Sequence, residues 1–201
     1  MALNTEIPRV VVCGVGALGA NLVEHLARSR CPGWLVVIDH DRVEAANVGN
    51  QPYDLRQAGQ SKVHALAARI YEACGRQVEA VHSTIDAKSA RNLLRGADLV
   101  IDTLDNAAAR LAVRDACSAL GVTALHAGLG ADGYVDVRGN EDYRIEEPGA
   151  GAGPCRDATS RSQVLLGVLM TAEAVRTALT EGRVAIRAAA LGALLQSTLT
   201  L

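Results

Sequence analysis

Three glycines at fixed spacing follow an apolar segment near the start of the chain. Arg9–Cys13 is rich in valine and passes directly into a G-x-G-x-x-G sequence made by Gly14, Gly16 and Gly19. In a strand–turn–helix unit, the first glycine allows a tight turn, the second lets the backbone approach a phosphate, and the third permits close packing of helix on strand. The start of the helix would direct free N–H groups at an anion. These residues predict a nucleotide-binding turn; the alternative is a glycine turn without a ligand.

An acidic residue ends the second apolar segment. Trp34–Ile38 predicts a buried strand, and Asp39 follows it, 20 residues after Gly19. In nucleotide-binding folds an acid at this position accepts hydrogen bonds from ribose hydroxyls. We therefore expect Asp39 to bind a ribose, with a helix cap or turn residue as the alternative.

Two polar segments follow predicted strands and can supply further groups to the same site. The first lies between Asp39 and the next predicted helix and contains Asp41, Glu44, Asn47, Gln51 and Lys62. The second, Asp102-Thr103-Leu104-Asp105-Asn106, comes directly after the apolar residues Leu99–Ile101. A lysine brings mobile positive charge to an anion, and a carboxylate is a hard oxygen ligand. Lys62 could instead be a solvated lysine that opens a helix, and Asp105 could be a helix N-cap.

The order and spacing of these residues resemble the ThiF/MoeB family, the bacterial relatives of ubiquitin-activating enzymes. The family pattern reads D-x-D-x-V-(E/D)-x-x-N-L-x-R-Q, then G-x-x-K, and later D-x-x-D-N. The first two patterns are matched by Asp39, Asp41, Val43, Glu44, Asn47, Gln51, Gly59 and Lys62, and the third by Asp102, Asp105 and Asn106. The resemblance covers roughly residues 8–180 of the chain.

The resemblance implies an adenylyltransferase that uses ATP and Mg²⁺. ATP would contact the three glycines of the turn together with Asp39, Asp41, Asn47, Lys62, Leu104, Asp105 and Asn106. The catalytic residues would be Asn47, Gln51 and Lys62, which line the path of the phosphates, and Asp105, which binds the magnesium. The family resemblance also favours a homodimer.

In the implied reaction a carboxylate attacks the α-phosphorus of ATP and gives an acyl-adenylate and pyrophosphate. Positioning and charge neutralisation can carry this step without a protein nucleophile. The carboxylate would be the C-terminus of a ubiquitin-like or sulfur-carrier protein, or a small-molecule carboxylic acid such as a cofactor precursor.

Two departures from the family pattern leave other functions open. Asn50 replaces the arginine that precedes Gln51 in the family, and Arg56 is the nearest candidate to supply its charge. Only eight residues precede the first predicted strand, where family members often carry an additional helix. The alternatives are a catalytically weakened scaffold subunit that binds nucleotide, and an NAD-dependent oxidoreductase. An oxidoreductase would share the glycine turn and Asp39 but would not explain Lys62.

The five cysteines form neither a metal-binding nor a disulfide pattern. No two of them stand in a C-x-x-C sequence, which argues against a zinc site and against a disulfide framework. Cys13, Cys74 and Cys117 lie in predicted strands and helices and are expected to be core residues. Cys155, beside Arg156, is a candidate thiol acceptor, with an unreactive cysteine as the alternative.

The alternation of apolar and polar segments predicts an α/β fold of the Rossmann-like nucleotide-binding type, with a mainly parallel sheet, added antiparallel strands, and helices on both faces. Strands are predicted at 9–13, 34–38, 78–81, 98–104, 121–126, 134–137 and 183–187, and a turn at 128–133. Helices are predicted to begin near Ala17 and to span 62–74, 89–95, 107–120 and 162–181. His126, at the end of a strand, is expected to be structural rather than catalytic.

The whole chain, 1–201, is expected to form one adenylation domain. Its parts would be a Rossmann-like core at 8–126, an antiparallel extension with a crossing loop at 127–161, and a C-terminal helical packing segment at 162–201. With one tryptophan, four tyrosines and no phenylalanine, its core must be aliphatic.

The composition argues against several classes of protein. A formal net charge of −2 gives no electrostatic basis for binding nucleic acid or an anionic membrane. No apolar run approaches the roughly 20 residues that a membrane span needs. Residues 1–8 lack a signal-peptide pattern, so a cytoplasmic location is expected.

Overall fold

The computed structural model describes residues 7–130, 134–144, 160–184 and 187–190. The strands are β1 (Arg9–Cys13), β2 (Trp34–Asp39), β3 (Glu79–His82), β4 (Leu99–Asp102), β5 (Thr123–Leu129), β6 (Tyr134–Gly139) and β7 (Arg187–Ala190). The helices are α1 (Ala17–Arg28), α2 (Lys62–Cys74), α3 (Ala90–Leu93), α4 (Ala107–Leu120) and α5 (Arg161–Glu181). Two short 3-10 turns, Ala45–Asn47 and Leu55–Gln57, interrupt the segment that the sequence predicts as one long loop.

The strands pair into a seven-stranded sheet in the order β3-β2-β1-β4-β5-β6-β7. The first five pair in parallel, and β6 and β7 run antiparallel to their neighbours. The strand order reverses between β1 and β4, and in such folds ligands bind in the crevice outside the carboxyl ends of the strands at this point. The predicted fold class is therefore confirmed.

Both faces of the sheet are covered, which explains why the central strands are apolar along their whole length. In β1, Val10 and Val12 belong to one core, and Val11 and Cys13 belong to the core on the opposite face. Helices α1, α2 and α5 contribute to the first core, and α3 and α4 contribute to the second.

Helix α5 is partly core and partly surface. It packs against α1, β5 and β6, and Val164, Val168 and Val175 are buried there. Leu165 and Leu169 point outward, with 46% and 58% of their surface exposed. Across the part of the chain that the structure describes, no helix combines the length and the apolar character needed to cross a bilayer.

The observed boundaries agree with the predicted helices better than with the predicted strand ends. Both α2 and α4 have the predicted bounds. The prediction of a turn starting at Gly128 is wrong, because β5 continues to Leu129, which pairs with Val135 of β6. The last strand begins at Arg187, where the predicted strand ends, because its partners on β6 lie opposite residues 187–190.

The prediction of three core cysteines is correct for two of them. Cys13 and Cys117 are buried, but Cys74 is exposed. Cys74 is exposed because it is the last residue of α2, whose final turn and C-cap, residues 71–75, are all exposed. Cys155 lies in the stretch 145–159, outside the described residues.

Candidate nucleotide-binding site

The ends of β1, β2 and β4 meet at the glycine turn. Gly14 donates its N–H to the carbonyl oxygen of Ile38 at 2.8 Å, and Thr103 donates its N–H to the carbonyl oxygen of Cys13 at 2.9 Å. The Thr103 hydroxyl donates to the carbonyl oxygen of Gly14 at 2.8 Å. These bonds hold the segments after three strands together, at the point where the strand order reverses.

The three glycines of the turn have different surroundings. Gly14 has a φ of +87°, the left-handed region that favours glycine. A Cβ on Gly19 would overlap the carbonyl oxygen of Gly14 and the Thr103 hydroxyl, so α1 packs closely on the turn. A Cβ on Gly16 would meet no atom within 4 Å.

The start of α1 is open to an anion. Gly16 is the N-cap of this helix, no described side chain caps it, and its first turn contains no acidic residue. The first N–H groups of a helix have no partner within the helix and carry a partial positive charge. The open space at Gly16 therefore lies where backbone N–H groups can meet a phosphate.

Asp39 ties the end of β2 to the glycine turn. Its Oδ2 accepts the N–H of Val15 at 2.8 Å, and its Oδ1 accepts the N–H of Asp41 at 2.7 Å. The second bond is the turn role that the sequence leaves as an alternative. Asp39 is 8% exposed, and each carboxylate oxygen retains a lone pair for a ligand hydroxyl.

Lys62 is buried at the start of α2. Its Nζ lies 2.8 Å from Oδ2 of Asp41, and its side chain is only 8% exposed. The N–H of Lys62 also donates to the carbonyl oxygen of Asp41 at 3.0 Å. The interpretation of Lys62 as a solvated surface lysine is therefore wrong, because its ammonium is held at a carboxylate two residues from Asp39.

The predicted phosphate-path residues Asn47 and Gln51 lie in the segment between β2 and α2. Oδ1 of Asn47 accepts the N–H of Glu44 at 2.9 Å, so part of this amide stabilises the first 3-10 turn. Gln51 has a buried Oε1 that finds no hydrogen-bond partner among the described residues. Its amide is therefore available to a ligand or to water.

Tyr53 fastens this segment to the glycine turn. Its hydroxyl donates to the carbonyl oxygen of Val15 at 2.9 Å. Burial, together with the nearby carboxylates of Asp39 and Asp41, raises the pKa of Tyr53. The hydroxyl therefore stays protonated and remains a donor at neutral pH.

Arg56 does not take the place of the arginine that the family has at Asn50. Its side chain is 92% exposed and pairs with Asp54, with Nε 3.3 Å from Oδ1. That pairing fixes Arg56 at the second 3-10 turn, because Asp54 is the cap of the turn and also accepts the N–H of Arg56.

Asn106, rather than Asp105, caps α4. Oδ1 of Asn106 accepts the N–H of Ala109 at 2.8 Å, so the alternative role of Asp105 as N-cap is wrong. Asp105 is exposed. It follows Leu104, whose Cδ2 lies 3.1 Å from the position of a Cβ on Gly14, and Leu104 therefore brings this segment to the glycine turn.

A buried polar network that the sequence analysis missed stands behind this segment. Asp102 places Oδ2 2.7 Å from Nδ1 of His126 and accepts the N–H of Leu104 through Oδ1 at 3.0 Å. Arg110 donates from Nη1 to the carbonyl oxygen of Leu104 at 3.1 Å and lies, through Nε, 3.1 Å from Oδ2 of Asp102. Tyr143 stacks on His126 with ring centroids 3.9 Å apart. The network supports the structural interpretation of His126.

One sequence signal could have revealed this network. Asp102 and His126 each end an apolar run, and the two residues are direct neighbours in the register of β4 and β5. Polar side chains at adjacent positions of two buried strands need each other as partners, because an unpaired buried polar group is costly.

The possible metal ligands of the site differ in how freely they could bind a metal ion. Asp39, His40 and Asp41 present ligand atoms within 4.8 Å of one another, but the ammonium of Lys62 already occupies Oδ2 of Asp41. Asp105 is a single exposed carboxylate. Magnesium in nucleotide sites is commonly bound by one or two carboxylates plus phosphate oxygens, so Asp105 fits this role only together with a nucleotide.

The structure brings most of the predicted residues to one edge of the sheet. Asp39, Asp41 and Lys62 form one hydrogen-bonded unit with the glycine turn, and Leu104 joins it by direct contact. Gln51 lines a cavity beside α1. The fold and the site define an α/β protein of the Rossmann-like class, in which a buried lysine paired with an aspartate is hydrogen-bonded to the glycine turn through Asp39.

Comparison with known sequences specifies this class further. The sequence model of the ThiF family matches residues 4–197. The chain belongs to the ThiF family.

Two curated relatives illustrate the similarity. The chain is 37% identical over 118 residues to the adenylyltransferase and sulfurtransferase MOCS3 of Mus musculus, an alignment that covers 57% of this chain and 25% of that protein. It is 32% identical over 123 residues to the SAMP-activating enzyme E1 of Haloferax volcanii, covering 60% of this chain and 45% of that protein. The aligned part thus spans between a quarter and a half of the length of these two relatives.

Solved structures show the same fold. One of them is the complex with ATP of TcdA, the tRNA N6-threonylcarbamoyladenosine dehydratase of E. coli. Its superposition with this chain gives a TM-score of 0.56 at 26% identity and covers 62% of this chain and 52% of that chain. E. coli MccB with AMPCPP and MccA has a TM-score of 0.74 at 15% identity, covering 92% of this chain and 63% of that chain. At that identity the second likeness concerns the fold alone.

Proposed function

We propose that this protein uses ATP to adenylylate a carboxylate. The observation that carries the proposal is the uncapped start of α1 at Gly16, open to a ligand, together with the ion pair between the buried Lys62 and the half-exposed Asp41. Free helix N–H groups and an ammonium are the groups that stabilise a transferring phosphoryl group, and the reaction needs no protein nucleophile.

Each part of the site has a role in this reaction. The glycine turn holds the α-phosphate, and the remaining lone pairs of Asp39 accept the ribose hydroxyls. Asn47 and Gln51 contact the phosphates with their amides. Asp105 holds magnesium together with phosphate oxygens, and the metal neutralises charge on the triphosphate.

Lys62 is prepared for this reaction by its partner. An unpaired ammonium in a buried position is costly, so Asp41 holds Lys62 at 2.8 Å when no phosphate is bound. A triphosphate that enters above the glycine turn brings a stronger negative charge, and the ammonium moves from the carboxylate to phosphate oxygens. Burial of the lysine side chain restricts its motion before the nucleotide binds.

The relatives support a proposal for the substrate class. Two of them are named as activating enzymes, the SAMP-activating enzyme E1 and the ubiquitin-like modifier-activating enzyme 5 of Bombyx mori. The second is 36% identical to this chain over 123 residues. These support the C-terminal carboxylate of a ubiquitin-like or sulfur-carrier protein as the substrate. A small-molecule carboxylic acid presents the same reacting group.

Exchange of labelled pyrophosphate into ATP tests the proposal. The wild-type chain should catalyse exchange in the presence of magnesium and a cognate carboxylate, drawn from a panel of ubiquitin-like C-termini and small acids. Lys62→Ala should lower the exchange rate at least about 100-fold. Lys88→Ala is the matched control, because Lys88 is the one other lysine of the chain and is exposed.

Other outcomes would favour the other functions. No exchange with the whole panel, combined with tight binding of ATP, would support a scaffold subunit and contradict the proposal. Binding of NAD in preference to ATP and magnesium would favour an oxidoreductase.

A further inference from the structure

A cavity of about 440 Å³ lies beside α1 and is lined in part by the segment 49–53. Four parts of the chain line it: α1, that segment, α2 and α5. The residues that matter for its chemistry are Asn21, Glu24, Arg28, Gln51, Arg69 and Arg161. We call this cavity the α1 cavity.

The lining of the α1 cavity carries excess positive charge. Arg28 and Arg69 both bond to the carboxylate of Glu24, from Nη2 at 2.8 Å and from Nε at 3.2 Å. Burial would raise the pKa of Glu24, but the hydrogen bonds from both arginines outweigh it and lower the pKa. Glu24 is therefore ionised at neutral pH, yet a single carboxylate cannot neutralise three guanidinium groups.

Arg161 is the guanidinium of this lining for which the described residues provide no acidic partner. No described carboxylate forms an ion pair with it, and its Nη1 instead donates to the backbone carbonyl oxygen of Asn50 at 2.9 Å. Nδ2 of Asn21 donates to the same oxygen at 2.8 Å. This arrangement holds the guanidinium at the cavity without neutralising its charge, and the other N–H groups of its fork remain available to an anion.

Gln51 adds a polar atom for which the described part of the chain offers no hydrogen-bond partner. Its Oε1 is buried and unpaired, and the residue lines the α1 cavity. Rotation of the amide would present Nε2 in place of the oxygen, so the side chain can donate to an anion or accept from a protonated one.

The α1 cavity begins close to the phosphate end of the candidate nucleotide site. Asn21 lies five residues after Gly16 on α1, a distance of about 7.5 Å along the helix axis. The segment 49–53 is fixed to the glycine turn by the bond from Tyr53 to Val15. An anion in the cavity would therefore lie near, but beyond, a phosphate bound at the start of α1.

We propose that the α1 cavity is a binding site for a pyrophosphate group, with Arg161 as its principal cation. Its volume exceeds that of a single phosphate or carboxylate, and a multiply charged anion matches a lining in which guanidinium groups outnumber carboxylates. The pyrophosphate group is either the β,γ end of bound ATP or free pyrophosphate. The first source rests on the proposed function, and the second does not.

Isothermal titration calorimetry of the full chain with sodium pyrophosphate, without magnesium or nucleotide, tests the proposal. The wild type should bind, and Arg161→Gln should weaken binding by about tenfold or more, because charge-assisted hydrogen bonds are lost. Arg161→Lys should restore part of the affinity. Arg176→Gln is the matched control on the same helix, since Arg176 is exposed and pairs with Glu173 away from the cavity.

Two further titrations identify the source of the group. If Arg161→Gln weakens the binding of ATP but not of AMP, the cavity takes the β,γ end of the nucleotide. If the substitution weakens only the binding of pyrophosphate, the cavity takes the free ion. Both results support the site. Absence of pyrophosphate binding in the wild type, equal affinity in Arg161→Gln, or an equal loss for AMP would overturn it. Failure of the proposed function would instead appear as missing exchange in a chain whose pyrophosphate binding is intact.

Discussion

His126 shows how hydrogen-bond partners on both sides hold a buried imidazole ring in place. Nδ1 faces Oδ2 of Asp102 at 2.7 Å, and Nε2 faces Oδ1 of Asn140 at 2.8 Å. The amide nitrogen of Asn140 donates to the carbonyl oxygen of Arg114 at 3.1 Å, so its oxygen is the atom turned toward His126. Nε2 therefore faces a hydrogen-bond acceptor, and the contact of Nδ1 with Asp102 holds the other edge of the ring.

Replacing His126 should destabilise the protein strongly. In His126→Ala the fully buried Asp102 loses a hydrogen-bond donor and the stacked ring of Tyr143 loses its neighbour. We expect the free energy of unfolding to fall by about 3 kcal/mol in urea denaturation followed by circular dichroism. The control is His64→Ala, because His64 is exposed on α2. Superimposable unfolding curves for wild type and His126→Ala would contradict this account of the network.

At this scale the sequence predicts residue types but not contacts. The pattern identifies Asp39, Asp41 and Lys62, yet it contains nothing that pairs Lys62 with Asp41 across 21 positions. The roles of Asp105 and Asn106 illustrate the same limit. Either residue is a good N-cap by type, and only the backbone geometry at the start of α4 makes Asn106 the cap.

The strand–turn–helix element at the start of the chain assigns different roles to two of its glycines. Gly16→Ala adds a methyl group into open space, whereas Gly19→Ala drives one into the carbonyl of Gly14 and the Thr103 hydroxyl. The free energy of unfolding of Gly16→Ala should lie within about 1 kcal/mol of that of the wild type. Its affinity for ATP should fall at least tenfold, since the methyl group would occupy the position proposed for a phosphate. Gly19→Ala should lose about 2 kcal/mol or more of stability, because backbone must move.

Thermal unfolding and ATP titration of both variants separate these effects. The pair serves as its own control, since each variant adds one methyl group to the same turn. Normal ATP affinity in Gly16→Ala would show that no phosphate approaches this position. Wild-type stability in Gly19→Ala would show that α1 does not pack on the turn as closely as described.

Elements are predictable from the sequence where one periodic signal covers them. Helices α2 and α4 have the predicted bounds, because each carries an apolar face and ends at a glycine with positive φ, Gly75 and Gly121. The end of β5 is not predictable in this way. The residues around Gly128 predict a turn, but pairing with β6 extends the strand past this glycine. The boundary of the strand therefore depends on the strand it pairs with, which local sequence does not reveal.

For the molecule as a whole, packing divides the cysteines into reactive and protected thiols. Burial raises the pKa of Cys117 to about 12 and also raises that of Cys13. The exposed Cys74 should therefore react with iodoacetamide at pH 8 in the native state, whereas Cys13 and Cys117 should react only after unfolding. Peptide mapping by mass spectrometry measures each site separately. Labelling of Cys117 as fast as Cys74 in the native protein would contradict the described core.

The outer face of α5 is the surface of the molecule most suited to contact another protein chain. Leu165 and Leu169 are one helical turn apart and both exposed, although the inner face of the same helix is fully engaged with α1 and the sheet. The helix is therefore apolar on more of its circumference than its own domain covers. Contiguous exposed apolar groups of this kind mark interaction surfaces, and the family resemblance favours a second copy of the chain as the partner.

Substitution of this face should separate the copies if it forms the interface. We expect the wild-type chain to sediment as a dimer and Leu165→Glu/Leu169→Glu to sediment as a monomer, because an interface of about 800 Å² per partner does not tolerate two unpaired charges at its centre. The control is Leu55→Glu, since Leu55 is a leucine on the second 3-10 turn that is more exposed than either leucine of α5. Analytical ultracentrifugation at several concentrations makes the comparison, with circular dichroism to confirm that each variant is folded. A wild-type monomer at all concentrations, or a dimer that survives both substitutions on α5, would place the outer face of this helix outside any homodimer interface.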